Sequence, residues 1–186
     1  MRLLLFFALL LPALPASAQS DTASWRHEIA FSLGFVRQTD VSGNLQRGGV
    51  EGAYHLLKPL GRFAVGAGGG FASMGGTRNE RMLSATVLGS YSPGGRRLRP
   101  TFRMLAGVGI PIGNATLDMT DRRVSPVVHP ALGLTLLPPR GHWGALHLSL
   151  GYRFTAAKYV AAPEWATTRL REVRYRRLTL TLATRI

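Results

Sequence analysis

Arg177-Leu-Thr-Leu-Thr-Leu-Ala-Thr-Arg-Ile186 alternates without a break. Leu178, Leu180 and Leu182 share one face with Thr184 and Ile186, and Arg177, Thr179, Thr181, Ala183 and Arg185 take the other. A period of two is the period of a β-strand. The strand runs to the last residue, and a sheet that finishes this way is expected to close by pairing its last strand with its first, which removes both edges.

Seven further segments carry the same alternation: 25–36, 50–57, 63–73, 82–91, 101–112, 127–137 and 143–154, with the eighth beginning near Val173. In the first, Ile29, Phe31, Leu33 and Phe35 oppose Arg26, Glu28, Ala30, Ser32 and Gly34. In the seventh, Leu146, Leu148, Leu150, Tyr152 and Phe154 oppose Ala145, His147, Ser149, Gly151 and Arg153. The second, fourth and sixth connections are Pro- and Gly-rich turns, while the others are mostly longer, with 155–172 the longest. No helical period of useful length, domain boundary or low-complexity linker interrupts the pattern. Short turns on one side and long loops on the other is the layout of a barrel that crosses an outer membrane, with the turns periplasmic. The expected fold class is therefore all-β, an eight-stranded antiparallel up-and-down transmembrane β-barrel over residues 19–186.

Volume decides which face points out. An eight-stranded barrel is just wide enough for side chains to fill. The bulky Leu, Phe, Ile, Val and Tyr of eight strands would overfill it, and the opposite face, mostly Gly, Ala, Ser and Thr, would make a poor soluble surface. Bulky residues are thus expected on lipid and small or polar ones in the lumen. Aromatics fall into two groups consistent with headgroup girdles: Trp25, Phe63, Tyr91, Phe102 and Trp143 near the turns, and Phe35, Phe71, Tyr152, Phe154 and Tyr175 near the loops.

The N-terminus fits this destination. Arg2, the apolar run Leu3–Leu11 and Ala16-Ser17-Ala18 read as a charged n-region, an h-region and an A-x-A cleavage site. Residues 1–18 are expected to be a signal peptide. No later apolar run approaches the ~20 residues of a membrane helix. The chain has no cysteine, which excludes disulfides and thiolate metal sites. Its formal charge is +14, and 21 of its 23 basic residues are Arg. In an exported chain this favours anionic lipid and lipopolysaccharide phosphates over nucleic acid as partners, since guanidinium binds phosphate bidentately. A merely solvated basic surface is the competing reading.

Over the whole mature chain this pattern resembles the small outer-membrane β-barrels of the OmpA and OmpX type. The resemblance is of pattern, not identity. That family usually ends in Phe or Tyr, whereas this chain ends in Ile186, bulky and of the correct parity. It implies a monomer delivered by the barrel-assembly machinery.

Candidate chemistry is sparse. A lumen charge cluster of Arg26, Glu28, Glu51, Arg103, Arg153 and Arg177 is expected, joined by His55 and His147. Buried charges must pair, and Glu28 is expected to meet Glu51 and Arg177, with Arg103 or Arg153 reaching across. Such a cluster is either a structural plug or a gated narrow pore favouring anions. His147-Leu148-Ser149 places an imidazole and a hydroxyl on one strand face. It is similar to the H-x-S of lipid A deacylases, although Leu150 stands where that family has Asn, and the acid would have to be Glu164 or Glu172. Two small polar lumen residues are the simpler reading, and no catalytic residue is assigned. Gly66, Gly68, Gly69 and Gly70 lack the Lys-Ser or Lys-Thr of a phosphate loop and sit in a strand. Asn114, Asp118 and Asp121 have no EF-hand spacing, so neither a metal nor any other cofactor is expected. The loop 155–172, with Tyr159, Trp165, Arg169 and Arg171, is the expected surface contact. The leading expectation is a structural or surface-interacting barrel, for adhesion or lipopolysaccharide contact. Its alternatives are a narrow pore, a lipid A hydrolase or a soluble periplasmic barrel holding an apolar ligand.

Overall fold

The computed structural model describes residues 24–35, 48–74, 80–94, 97–112, 119–137, 144–161 and 169–186. The expected signal peptide lies outside them. The strands are β1 (Arg26–Phe35), β2 (Val50–Leu60), β3 (Phe63–Ser73), β4 (Arg81–Tyr91), β5 (Leu98–Ile112), β6 (Met119–Arg123), β7 (Ser125–Leu136), β8 (Ala145–Ala161) and β9 (Arg169–Arg185). All but β6 form a ring of antiparallel neighbours, β1-β2-β3-β4-β5-β7-β8-β9, and β9 pairs back onto β1. Leu33 faces Leu180 and Phe31 faces Leu182 in that closing ladder. The fold is an all-β, closed, eight-stranded antiparallel barrel.

Turn chemistry fixes the tight end. Leu60 and Phe63 are paired, leaving a two-residue loop whose Gly61 has φ +64°. A hairpin this short needs positive φ, which glycine supplies without a Cβ penalty.

Two expected boundaries need correction. Strands β8 and β9 run on as a paired ribbon from Arg153–Arg177 to Ala161–Arg169, so much of the expected loop 155–172 is sheet. Val160 and Val173 keep the ribbon β-prone, but polar residues on both faces conceal the alternation there. The connection between the expected strands 101–112 and 127–137 likewise contains β6, which pairs with the outer part of β8 through Met119–Ala161 and Arg123–Lys158.

The faces sort by volume as expected. Ile29, Phe31, Leu33, Val65, Phe71, Leu132, Leu148, Leu150, Leu180 and Leu182 are exposed on the outer wall. Ala30, Ser32, Ala64, Thr86, Ala131, Ser149, Thr179 and Thr181 are buried inside. Glycine widens the lumen where larger side chains enter it. A Cβ on Gly68 would strike the Tyr54 carbonyl and the ring of His55. The apolar stretch from Leu178 to Ile186, at ~3.3 Å per residue and ~40° tilt, covers roughly 20–25 Å, the height of a membrane band.

Candidate functional site

The lumen is filled by two polar groupings at different heights. In the half nearer the tight turns and the C-terminus, periplasmic by the expected orientation, the register sets Glu28 of β1 beside Arg185 of β9 and His55 of β2. Arg185 Nε donates to Glu28 at 2.7 Å, and its Nη2 donates to Ser90 Oγ at 3.0 Å. Arg103 reaches from β5 across the lumen to the second oxygen of the same carboxylate. One buried carboxylate therefore holds two guanidiniums. Beside it, hydroxyls and an imidazole form a chain: Ser92–Thr101 at 2.8 Å, Thr101–Thr135 at 2.7 Å and Thr135–His147 Nδ1 at 2.9 Å. His55 Nε2 meets Thr86 at 2.9 Å.

In the outer half, Arg153 of β8 pairs with Glu51 of β2. Arg177, its register neighbour on β9, donates to the carbonyl of Met74 and stacks 4.8 Å from the ring of Tyr175. Glu80 accepts from Tyr159 at 2.6 Å and from Tyr175. Met74, Met82, Val127, Ala157 and Tyr159 are buried in one apolar cluster at this level. Ions, hydroxyls and methionines together obstruct both halves of the bore.

Between the halves lies a small cavity, lined by Ser32, Glu51, His55, Arg103, His129, Ser149 and Thr181. His129 reaches past Gly151, which has no side chain to block it, and meets Thr179 at 2.6 Å.

Three expectations about these residues are corrected by this geometry. The charge cluster is not one group: Glu28 and Glu51 belong to separate halves, and Arg177 bonds a backbone carbonyl instead of Glu28. Arg26 has lumen parity but lies exposed at the first residue of β1, beyond the filled part of the bore. The missed member is Arg185, which the alternation already placed on the lumen face. Only the β1–β9 register shows that it meets Glu28.

The surface-contact candidates divide. Tyr159 is buried inside the barrel because β8 extends through it, and its hydroxyl is engaged by Glu80. Arg169 and Arg171 belong to β9, while their side chains, and Trp165 altogether, lie outside the described residues. Tyr175, expected in the outer girdle, also faces inward: it shares parity with Arg177 and bonds Glu80.

His147 and Ser149 are both buried, but they do not bond each other. His147 Nδ1 is taken by Thr135, and its Nε2 and the Ser149 hydroxyl have no partner among the described residues. Glu172 is exposed at the other end of the barrel, and Glu164 lies outside the described residues. Among the described residues no nucleophile, base and acid come together. Asp121 is exposed and paired with Arg123 at 3.0 Å, and no group of three or more His, Asp or Glu converges among the described residues.

The outer wall holds a second grouping. Along β9 the exposed face reads Leu182, Leu180, Leu178 and then Arg176 and Arg174. Arg176 sits 5.8 Å over the ring of its register partner Phe154. Arg174 and Lys158 share Glu172, at 3.1 and 3.3 Å, and Arg122 and Arg123 stand exposed on the adjoining β6. At the opposite rim, Lys58 lies 5.9 Å over Trp25. Cations beside aromatic rings at both ends of an apolar wall mark the two headgroup levels.

Belt, girdles and filled bore define an eight-stranded barrel of the outer-membrane type. Solved structures agree at the level of fold. The crystal structure of the Neisserial surface protein NspA matches with a TM-score of 0.50 at 10% identity, over 86% of this chain and 94% of that one. The outer membrane protein AlkL, solved in lipid bilayers, matches with a TM-score of 0.50 at 12% identity, over 93% of this chain and 95% of that one. No protein-family model matches the chain, and no curated protein matches it in sequence.

Proposed function

We propose that this outer-membrane barrel works through its external wall, as a structural and surface-interacting protein that contacts lipopolysaccharide phosphates. The carrying observation is the change from Leu178 to Arg176 and Arg174 directly above Phe154 on the lipid-facing side. A lipid whose acyl chains lie against Leu178, Leu180 and Leu182 presents its phosphates at the height of those guanidiniums. Arg176 faces no carboxylate among the described residues, and the surrounding band of Arg122, Arg123, Lys158, Arg174 and Arg176 outweighs Asp121 and Glu172 in charge. Guanidinium–phosphate bonds are charge-assisted and strengthened at the edge of a low-dielectric layer.

The test is titration of detergent-folded protein with bisphosphorylated lipid A and with its dephosphorylated form. The phosphorylated lipid binds more tightly, and Arg174→Gln with Arg176→Gln weakens it about tenfold or more, in line with the loss of charge-assisted bonds. Equal binding of both lipids sinks the reading. The filled bore argues against a transport role, and steady single-channel currents in planar bilayers would replace this reading with a narrow pore.

A further inference from the structure

We propose that the mid-lumen cavity is a binding site for one small monovalent anion of halide size, held by Arg103, His55 and Ser149. Three atoms in residues lining the cavity have no partner among the described residues: Arg103 Nε, His55 Nδ1 and Ser149 Oγ. All three side chains are more than nine-tenths buried. Each can donate, since His55 Nδ1 carries the proton when Nε2 accepts from the Thr86 hydroxyl. Buried donors without acceptors cost free energy, and such a group in a native interior points to a water or an ion.

Charge distinguishes the ion from the water. The wall on the periplasmic side sets Arg103 and Arg185 against Glu28 alone, one positive charge in excess. The wall on the outer side brings the Glu51 carboxylate to the cavity, neutralised by its pairing with Arg153. The cavity is therefore positive on the side of Arg103 and His55, in a layer ringed by lipid where an unbalanced charge is poorly screened. A monoanion supplies the missing charge and accepts from all three donors. Water accepts two hydrogen bonds and leaves the charge uncompensated. The space suits one or two water-sized particles, which admits a halide and rejects a carboxylate-bearing metabolite.

The experiment measures the unfolding temperature of the compact gel band of folded protein in sodium chloride and in sodium gluconate at equal ionic strength, the latter anion being too large to enter. Wild type is expected to unfold at a higher temperature in chloride, with a saturating dependence, and the same increment is expected for bromide. Ser149→Ala removes one donor without touching the ion pairs, and the chloride increment should fall by half or more. If that variant fails to fold, Arg103→Lys keeps the charge, removes the Nε donor and should show the same loss. Identical temperatures for wild type in the two salts, or an undiminished increment in either variant, overturns the proposal. Neither result depends on whether lipid A binds the outer wall.

Discussion

The two halves of the lumen close the same bore with different materials. The periplasmic half spends one carboxylate, Glu28, on two guanidiniums and surrounds it with hydroxyls and imidazoles. The outer half mixes a single ion pair, Glu51–Arg153, with methionines, a valine and tyrosines, and lets Arg177 rest on a carbonyl and a ring. Position explains the contrast. At the periplasmic end the apolar Leu57, Leu88 and Leu105 also point in, but Arg103 and Arg185 enter from β5 and β9 with Glu28 as their shared carboxylate. At the outer end Met74, Met82 and Val127 enter from strand ends, so apolar packing carries part of the load. Glu28 consequently has more to hold than Glu51.

Glu28→Gln tests this most severely. It strands Arg103 and Arg185, and breaking a buried pair by removing one partner costs about 3–5 kcal/mol. The urea midpoint of the heat-modifiable band should fall sharply. Glu51→Gln frees only Arg153 and should cost less. Equal losses would show that the halves do not differ as described.

A second break compares the lumen with the wall beside it. Leu180 and Thr181 are adjacent on β9, one on lipid and one bonded to Ser32 inside at 2.8 Å. Leu180→Arg places a charge near the middle of the belt and should cost about 2–4 kcal/mol. Thr181→Val removes one neutral hydrogen bond and should cost about 1 kcal/mol. If the order reverses, the faces are assigned backwards.

That pair also shows what was legible in the sequence. Strand number, parity and the lipid-facing side followed from alternation and volume, because side-chain period is a local property. Register is not local. Whether Glu28 meets Arg177 or Arg185 depends on how far β9 slides along β1, and a shift of that size leaves each alternation unchanged. The outer ends of β8 and β9 were hidden for another reason. Beyond the membrane both faces are polar, so Lys158, Glu172 and Arg174 read as loop although backbone pairing continues through them. The burial of Tyr159 followed from that extension.

The outer half of the lumen can be sharpened at Glu80. Its two tyrosine donors divide the work of holding one carboxylate, so Tyr159→Phe should cost about 2 kcal/mol or less, within the range for a hydrogen bond to a charged group. The compact band should persist, with a modestly lower urea midpoint. A loss as large as that of Glu28→Gln would mean that Glu80, and not the apolar cluster, holds the outer half together.

The smallest effect separates the lumen from the ribbon above it. Glu172 stands four residues beyond Arg176, about 10 Å above the girdle, and is exposed. Its hydrogen bond from Arg174, then that from Lys158, holds its carboxyl below the ordinary carboxylate pKa. A lowered folded-state pKa contributes stability that is complete above the unfolded value and is lost as pH falls through the folded one. In water this contribution is screened, so acidification through that range should leave the urea midpoint nearly unchanged while side-chain NMR follows the titration. Lipid A phosphate competes for Arg174 in the proposed contact. Adding the lipid should therefore release Glu172 and move its titration upward, toward the ordinary value. A titration that ignores the lipid would leave Arg176 as the guanidinium of this pair that meets the phosphate and would narrow the contact to the residue above Phe154.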